Sequence, residues 1–394
     1  MSLSATRRVA YVGPMAFPEG GAGARRILGN AQSLREARWE VLIGSGQMPD
    51  KNASFDYQGF AVHSIGERDG EHFPILLKHL RYLRMGRKTV AWLESLNPAP
   101  LAVILYSGYA AYFTRLLPWC KRRGIPLVFD AVEWYEPSDM PGGRFSPYRL
   151  SFEYAMRRQS VACGHIIAIS RYLEDYFRSK GCSTVRVPPT LNLELLEPRL
   201  TASDAAPLTI AYTGSPGNKD LLDPLLEGIL RIDPEGRKVR VVTAGFNPQK
   251  LLQQPALKER GITTLPAWIE AQGPVNHEMA TSLVRDADFS ILLRRPLRYA
   301  QAGFATKVVE SLSVGTPPLC NLTGDLELYL RNGENALVVA DETVEGLLPV
   351  LERALNLSKD EKAAMRVGAR CTAQSSFDYQ LYAQPLSDLL SNHA

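Results

Sequence analysis

Residues 302–321, AGFATKVVESLSVGTPPLCN, contain the clearest structural signal in the chain. A turn runs into an apolar helical segment that carries a single acid, Glu310, and ends at Gly315. The residues Thr316-Pro317-Pro318 then lead into an apolar strand. Glycine commonly follows a helix end, and proline cannot continue a helix. The stretch therefore predicts a helix–turn–strand unit, with Glu310 either on an ordinary helix surface or directed at a ligand.

The same alternation of strand and helix extends outward through the chain. Short runs rich in Val and Ile alternate with amphipathic segments, which is typical of βαβ units and a parallel sheet. The predicted strands before the middle of the chain lie at 7–13, 39–46, 101–108, 125–137 and 165–170. Those after it lie at 208–214, 239–245, 288–293 and 318–322. We therefore expect an α/β protein with two Rossmann-like, doubly wound domains that face a cleft.

A segment rich in proline and small polar residues, 188–207, separates the two series of strands and is interpreted as a linker. The predicted domains are 1–195 and 206–374. The tail 375–394 is apolar enough to form a C-terminal helix, which we expect to pack back on the first domain. A length of 394 residues agrees with two domains rather than one.

The composition excludes several classes of protein. The apolar fraction of 45% and the charged fraction of 22% are those of a globular protein, and a net charge of +4 does not indicate nucleic-acid binding. The chain shows neither a bilayer-spanning apolar run nor a secretory signal pattern. Its five cysteines have no metal-binding spacing, so we predict reduced thiols in a cytoplasmic protein.

Residues 72–96 predict an amphipathic helix with one strongly basic side. Ile75, Leu76, Leu80, Leu83 and Val90 form its apolar stripe, and the other side carries Lys78, Arg81, Arg84, Arg87 and Lys88. A solvated surface helix is the ordinary interpretation. The alternative is peripheral contact with an anionic membrane, at its inner face.

Positive charge and glycine collect in loops that follow predicted strands. GGAG at 20–23 lies between a strand and a helix, where backbone N–H groups can approach an anion, although a tight turn would look the same. The loop YTGSPGNKD at 212–220 has the same position in the second domain and includes Lys219. A third loop, within 292–307, contributes Arg294, Arg295, Arg298 and Lys307, which indicates an anionic ligand.

Acids follow one strand of the first domain, at Asp130, Glu133, Glu136 and Asp139. Such acids can serve as general acid or base, hold hydroxyl groups, or cap a turn. No histidine cluster supports a metal site. The second strand ends without the acid that a nicotinamide cofactor requires, so this cofactor is rejected.

Taken together, these segments resemble the retaining glycosyltransferases of the GT-B fold, glycosyltransferase family four. The resemblance covers nearly the whole chain. It rests on GGAGARRILGNAQSLREARWEVLIGSG, HIIAISRYLEDYFRSKG, AYTGSPGNKDLLDPLLEGI and, most specifically, ADFSILLRRPLRYAQAGFATKVVESLSVGTPPLCN. It implies an acceptor-side first domain and a second domain that binds a nucleotide-sugar donor.

The resemblance also implies residue roles. Glu310 would hold the ribose hydroxyls of the donor nucleotide, because a carboxylate accepts from two neighbouring hydroxyls. Lys219, Thr306 and Lys307 would lie beside the diphosphate, and the backbone at Gly303 and Phe304 would face the sugar. Gly20 and Gly21 match the glycine loop that closes over the donor. Ser215 and Arg294 complete the predicted donor-binding set, and Asp130 and Glu133 are the candidate catalytic acids.

Three positions depart from the family pattern. Ala302 stands where the family usually has a second acid, and Ser215 stands where it usually has an arginine. An arginine at 294, 295 or 298 is a candidate to supply that charge from another loop. Asp130 and Glu133 occupy a loop that often carries a histidine.

The predicted function is therefore metal- and cofactor-independent sugar transfer with retention, of hexosyltransferase type. The donor is a nucleoside-diphosphate sugar, and the acceptor is a hydroxyl of a glycan or lipid-linked glycan in bacterial polysaccharide or glycoconjugate synthesis. Two alternatives remain open. One is a nucleotide-sugar-binding module without transfer activity, and the other is an epimerase of related fold.

Overall fold

A computed structural model describes residues 7–19, 21–46, 53–67, 82–136, 146–202, 207–217 and 219–391. The chain divides into two compact units. The first comprises Met1–Thr190, Gln301–Phe304 and Tyr379–Ala394, and the second comprises Leu191–Ala300 and Ala305–Asp378. Each unit contains a predominantly parallel sheet with helices, which confirms the predicted α/β class.

The sheet of the first unit has eight strands among the described residues, in the order β3-β4-β2-β1-β5-β6-β7-β8. All neighbouring pairs are parallel except β3 and β4. The strands are β1 Arg7–Gly13, β2 Trp39–Ser45, β3 Ser54–Tyr57, β4 Phe60–Ser64, β5 Ala102–Tyr106, β6 Leu127–Ala131, β7 His165–Ala168 and β8 Ser183–Arg186. The central strands β1, β5 and β6 are almost continuously buried, as expected for a parallel sheet with both faces covered.

The sheet of the second unit has six parallel strands among the described residues, in the order β11-β10-β9-β12-β13-β14. They are β9 Leu208–Thr213, β10 Val239–Ala244, β11 Ile269–Ala271, β12 Phe289–Leu292, β13 Pro318–Asn321 and β14 Leu337–Val339. The strand order reverses at β9, which has β10 on one side and β12 on the other. Open α/β sheets bind ligands beyond the carboxyl ends of their strands at such a switch point.

The α-helices in the described part of the chain are α1 Gly21–Glu36, α2 Arg87–Ser95, α3 Ala110–Arg123, α4 Pro147–Tyr154, α5 Ser160–Cys163, α6 Arg171–Ser179, α7 Asp223–Ile232, α8 Gln249–Leu252, α9 Pro255–Lys258, α10 His277–Asp286, α11 Arg298–Ala302, α12 Thr306–Ser313, α13 Leu326–Tyr329, α14 Val344–Asn356, α15 Lys359–Ser376 and α16 Ala383–Ser391. A π-helical segment, Ala155–Gln159, joins α4 to α5, and 3₁₀ turns lie at Leu193–Leu195 and Tyr379–Tyr382. None of the helices described is long and apolar enough to cross a membrane. All five cysteines are free thiols.

The C-terminal helix α16 is part of the first unit, as predicted. It packs against α1, and the side chains of Leu386 and Leu390 are completely buried. The indole Nε1 of Trp39 donates to the hydroxyl of Ser387 at 3.0 Å. The apolar face that the sequence shows near the C-terminus therefore completes the core beside β2.

The helix predicted at 72–96 is interrupted in its described part. Residues 83–86 form a turn, and α2 begins only at Arg87. Gly86 has a φ of 89°, a left-handed conformation that ends helical continuity and that glycine adopts without steric cost. The part of the predicted helix at 72–81 lies outside the described residues.

Residues 191–200, in the predicted linker, belong to the second unit and are tied to it by arginines of α15. Arg366 is 1% exposed and donates to the carbonyl oxygens of Arg199, Ala287 and Arg285, at 2.7, 2.7 and 2.6 Å. Burial lowers the pKa of this guanidinium to about 10. Because these donors meet carbonyl groups at the ends of several segments, Arg366 stabilises the packing of residues 199, 285 and 287.

The turn at Gly315 is sterically tight. Gly315 has a φ of +75°, and a Cβ added there would lie 2.9 Å from the carbonyl oxygen of Arg199 and 3.2 Å from Cδ2 of Leu200. Its N–H donates to the carbonyl of Leu312 at 3.0 Å, which closes the end of α12. Both the backbone conformation and the space at this position therefore require glycine.

We expect Gly315→Ala to lower the free energy of unfolding by more than about 1–2 kcal/mol, the cost of a left-handed non-glycine residue. Gly261→Ala is the matched control, because Gly261 has a φ of +67° and, among the described residues other than its chain neighbours, no atom lies within 4 Å of the added Cβ. Urea unfolding followed by circular dichroism measures both variants. Equal losses in the two variants would contradict a steric contribution from Arg199.

Candidate functional site

Two loops meet at the switch point of the second sheet. The loop after β9 includes Lys219 and Asp220, and the loop after β12 includes Arg294. The N–H of Leu221 donates to the carbonyl of Leu293 at 2.9 Å, and the hydroxyl of Tyr299 donates to the carbonyl of Lys219 at 3.0 Å. The two loops are therefore held together by backbone and side-chain hydrogen bonds.

Asp220, an acid that was not predicted as a site residue, lies at the centre of this junction. Its Oδ1 accepts from Nε of Arg294 at 2.7 Å, and its Oδ2 accepts from Nζ of Lys307 at 2.6 Å. Burial alone would raise the pKa of Asp220, but the charges of Arg294 and Lys307 outweigh this and hold it below its usual value. Asp220 is therefore an ionised carboxylate that joins two predicted site residues.

Lys307 reaches the junction because Gly214 leaves room for it. A Cβ at Gly214 would lie 2.8 Å from Cε and 2.9 Å from Nζ of Lys307, and its φ of +96° also favours glycine. The ammonium group lies 4.7 Å from the centroid of the Tyr212 ring. Gly214, the glycine of YTG, is therefore needed at this position because a side chain there would collide with Lys307.

Arg294 is fixed by the last residue of β13. The N–H of Arg294 donates to Oδ1 of Asn321 at 2.9 Å, and Nδ2 of Asn321 donates to the carbonyl of Arg294 at 2.7 Å. This pair of bonds links the ends of two adjacent parallel strands. Asn321, the last residue of the stretch 302–321, therefore positions a cation of the neighbouring loop.

Two more lysines lie at these loops. Nζ of Lys219 lies 5.9 Å from the centroid of the Tyr299 ring. Nζ of Lys250, in α8, donates to the hydroxyl of Ser215 at 3.3 Å. The arginines at 294, 295 and 298 were predicted candidates for the charge that Ser215 lacks, and Lys250, which contacts Ser215, is a further candidate.

Helix α12 presents the remaining predicted residues of the second unit. Thr306 and Lys307 are in its first turn, which contains no acid, and the half-buried Glu310 follows one turn later. Burial lowers the pKa of Lys307, and the negative charges of Asp220 and Glu310 oppose this effect. A helix start with a lysine, followed by a carboxylate, offers successive sites for an anion and for hydroxyl groups.

Gly303 and Phe304 are buried in the segment Gln301–Phe304, which groups with the first unit. In that unit the hydroxyl of Ser170 donates to the carbonyl of Ala302 at 2.7 Å. Ala302 is completely buried. Position 302, where the family usually has an acid, is therefore buried in this chain, and its backbone carbonyl accepts a hydrogen bond from Ser170.

In the first unit, Asp130 is completely buried in an ion pair with Arg26, a residue that was not predicted to belong to a site. Nη2 of Arg26 donates to Oδ1 of Asp130 at 2.6 Å, and Nη1 donates to the carbonyl of Val187 at 2.9 Å. Tyr11 also donates its hydroxyl hydrogen to Asp130, and Nδ2 of Asn30 donates to the Tyr11 oxygen at 3.0 Å. This environment favours a structural role, which we propose for Asp130 in place of the predicted catalytic one.

The other predicted acid, Glu133, is half-buried and lies near Tyr106 at the end of β5. Burial raises the pKa of Tyr106, and the charge of Glu133 raises it further. A Cβ at Gly23 would lie 2.6 Å from the Tyr106 hydroxyl, so the start of α1 also meets this side chain. Gly21 begins α1 with a φ of +63°, whereas Gly20 lies outside the described residues.

The sequence matches two protein-family descriptions, one for each series of strands. Residues 21–190 match the Glycosyl transferase 4-like domain, and residues 207–356 match Glycosyl transferases group 1. A comparison with curated protein sequences finds no match.

Several solved structures share the fold over nearly their full lengths. Sucrose-phosphate synthase from Thermosynechococcus elongatus is similar with a TM-score of 0.72 and 14% identity, and the match covers 98% of each chain. Anabaena HepE in complex with UDP-glucose has a TM-score of 0.67 and 14% identity, over 98% of this chain and 99% of that one. WaaG, a glycosyltransferase involved in lipopolysaccharide biosynthesis, has a TM-score of 0.68 and 14% identity, over 97% and 99%. These matches, together with the two family matches, confirm the predicted fold: the chain belongs to the group 1 glycosyltransferases of the GT-B fold, with a glycosyltransferase 4-like first domain.

Proposed function

We propose that this glycosyltransferase moves a sugar from a nucleoside-diphosphate donor to a hydroxyl acceptor with retention at the anomeric carbon. The observation that supports this is the cluster at the switch point of the second unit, where Asp220 joins Lys307 and Arg294. A pair of cations suits a diphosphate, and Glu310 lies one helical turn beyond Lys307, at a spacing suited to a ribose. The similarity to HepE, which was solved with UDP-glucose, agrees with a donor of this class.

The proposed chemistry requires stabilisation of the leaving group. The bond between the anomeric carbon and the diphosphate oxygen breaks, and a bond from the acceptor oxygen to the same face of that carbon forms. Negative charge develops on the diphosphate, where Lys307 and Arg294 stabilise it. The acceptor proton passes to the departing phosphate oxygen, so transfer requires no strong protein base. Glu133 remains the candidate acid on the acceptor side.

We extend the proposed phosphate site to Lys250. Its ammonium group contacts Ser215 in the loop after β9, and its charge adds to that of Lys219 in the same region. A lysine from α8 thus brings positive charge to the position where the resemblance implies an arginine. We propose that transfer needs no metal ion, because these side chains supply the positive charge.

A transfer assay with UDP-, GDP- and ADP-sugars, followed by mass spectrometry, tests the function. We expect one donor class to give a glycosylated acceptor, with unchanged activity in EDTA and with retained configuration by NMR. Conversion of a donor without an acceptor would indicate an epimerase. Binding of nucleoside diphosphates without any product would indicate a binding module. Folded protein that neither binds nor converts any donor would contradict the proposal.

For the acceptor we propose a glycan or a lipid-linked glycan of bacterial polysaccharide or glycoconjugate synthesis, with contact to an anionic membrane near residues 83–88. In this turn and the start of α2, Leu83 is 61% exposed beside the exposed residues Arg84, Arg87 and Lys88. The hydroxyls of Tyr82 and Ser151 are 3.0 Å apart, and α4 adds Leu150 and Tyr154, which are 57% and 56% exposed. Exposed apolar side chains among cations suit the boundary of an anionic lipid layer.

We expect Arg84→Glu/Arg87→Glu to reduce flotation with vesicles that contain phosphatidylglycerol, because each basic residue contributes about 1 kcal/mol near such a surface. Arg237→Glu/Arg240→Glu in the second unit is the matched control and should float like the wild type. Vesicles of phosphatidylcholine alone should bind none of the three proteins strongly. Equal flotation of the wild type and the Arg84/Arg87 variant would remove this surface from the proposal.

A further inference from the structure

We propose that Asp220 is a positioning residue for the donor phosphates: its carboxylate holds Lys307 and Arg294 by one hydrogen bond each and directs their remaining donors at the departing diphosphate. The inference rests on the proposed function and adds a residue to it. Asp220 would not touch the reacting atoms. It would act through the two cations that do contact the leaving group.

The geometry supports this division of roles. Each oxygen of Asp220 has its own cation, with Arg294 Nε at 2.7 Å from Oδ1 and Lys307 Nζ at 2.6 Å from Oδ2. A guanidinium has five N–H donors and an ammonium three, so one bond to each cation leaves most of their donors for a ligand. Attachment through Nε also fixes the plane of the guanidinium and hence the direction of its two terminal nitrogens.

Asp220 is itself held rigidly. It is 7% exposed, and its carbonyl accepts from the N–H of Gly217 at 3.1 Å. The residues on either side are fixed by Tyr299, which bonds the carbonyl of Lys219, and by Leu293, which bonds the N–H of Leu221. A carboxylate on such a backbone can hold two flexible cationic side chains in one arrangement, which lowers the entropy cost of binding an anion.

An alternative role for Asp220 makes the opposite prediction. If Asp220 only neutralised Lys307 and Arg294, it would compete with the phosphates, and its removal would strengthen diphosphate binding. If it positions them, its removal leaves two cations that repel each other, and diphosphate binding weakens. The direction of the change in affinity therefore separates the two roles.

The protonation of Lys307 gives a second observable. The charged groups that act on it are Asp220, Arg294 and Glu310, and it lies over the ring of Tyr212. Burial lowers the pKa of Lys307 and Asp220 opposes this effect, whereas Arg294 lowers the pKa further. Without the charge of Asp220, Lys307 should lose its proton at a lower pH.

Calorimetry on the full chain compares the wild type with Asp220→Asn, using UDP, GDP and ADP and the corresponding nucleosides. We expect Asp220→Asn to weaken binding of the preferred diphosphate by at least about 10-fold, because hydrogen bonds to charged groups are lost. Nucleoside affinity should change less than about 2-fold, and the decline of diphosphate affinity at alkaline pH should begin at a lower pH than in the wild type. Equal or tighter diphosphate binding with an unchanged pH profile would overturn the inference.

Two further variants control for folding. Asp233→Asn removes another buried acid of the second unit, whose carboxylate accepts from the N–H groups of Arg237, Lys238 and Val239. This substitution should leave the ratio of diphosphate affinity to nucleoside affinity unchanged. Asp220→Glu keeps the charge but displaces it by one carbon. We expect it to weaken diphosphate binding as well, so it replaces Asp220→Asn if that variant unfolds. Wild-type affinity in Asp220→Glu would contradict positioning.

A labelling experiment tests the inference without any nucleotide. Acetylation of Lys307 by an N-hydroxysuccinimide ester at pH 8, measured by mass spectrometry relative to the exposed Lys359, should be several-fold faster in Asp220→Asn than in the wild type. The reason is that more of the amine is unprotonated. An unchanged ratio would overturn the role of Asp220. If the wild type binds no diphosphate, the proposed function fails while this experiment still decides whether Asp220 controls Lys307.

Discussion

Asp130→Ala is expected to destabilise the first unit by about 3–5 kcal/mol, the range for removing one partner of a buried ion pair. The substitution leaves Arg26, which is 4% exposed, without its carboxylate partner, and it removes the acceptor of the Tyr11 hydroxyl. A charge in this environment cannot recover its hydration. Hydrogen exchange of peptides from β1 and β6 measures the local loss without assuming two-state unfolding of a two-unit chain.

Two controls separate this effect from a general response to mutation. Asp175→Ala removes an exposed acid of α6 in the same unit and should change protection by less than about 0.5 kcal/mol. Arg26→Met combined with Asp130→Leu removes both charges and should recover much of the loss, because apolar replacement of a whole ion pair is often close to neutral. A folded Asp130→Asn protein with normal exchange protection but no sugar transfer would contradict the structural role.

Glu310→Gln is expected to lower the affinity for the donor nucleotide by about 100-fold and to reduce kcat/KM similarly. A carboxylate accepts from both ribose hydroxyls, whereas an amide offers one acceptor oxygen and a donor group, so two charge-assisted bonds are weakened. Glutamine preserves the length of the side chain and the helix propensity of α12. Calorimetry with the preferred nucleoside diphosphate, and the transfer assay, measure the two effects.

The 2′-deoxy form of that nucleotide makes the test specific. The wild type should bind it more weakly than the ribose form, whereas Glu310→Gln should distinguish the two forms much less. Glu352→Gln, at an exposed position of α14, should behave like the wild type. If Glu310→Gln keeps the full preference for ribose, Glu310 does not hold the sugar hydroxyls and the proposed orientation of the nucleotide is wrong.

Local sequence patterns predicted the central part of each sheet. Strands β1, β2, β5, β9, β10 and β12 are buried and rich in Val, Ile and Leu, and each precedes a turn or helix signal. The strands that were not predicted are β3, β4, β8, β11 and β14, of which four lie at a sheet edge and β4 lies beside one. They are short, and several alternate with exposed residues, so their apolar signal is weak. Tertiary pairing with a neighbouring strand stabilises them instead.

Local sequence patterns also predicted only part of the candidate site. Arg294 and Lys307 were recognisable because cations gathered after a predicted strand and because the surrounding motif resembles a known family. Asp220 was not singled out, although it directly follows Lys219. Its signal was that of a lone acid in a loop that carries a single cation, Lys219. Its importance follows from partners 74 and 87 residues away along the chain, which no local pattern identifies.

The sequence by itself therefore determined the two α/β domains, their parallel sheets, the family, and the loops where charge collects, because periodicity, turn chemistry and motifs are local properties. Only the tertiary structure decided what each charged group contacts. It paired Asp130 with Arg26, 104 residues away, brought Lys250 to Ser215, and left room for Lys307 beside Gly214. Burial and distance determine whether an acid is a partner in an ion pair or is open to a ligand, and both arise only when distant segments pack together.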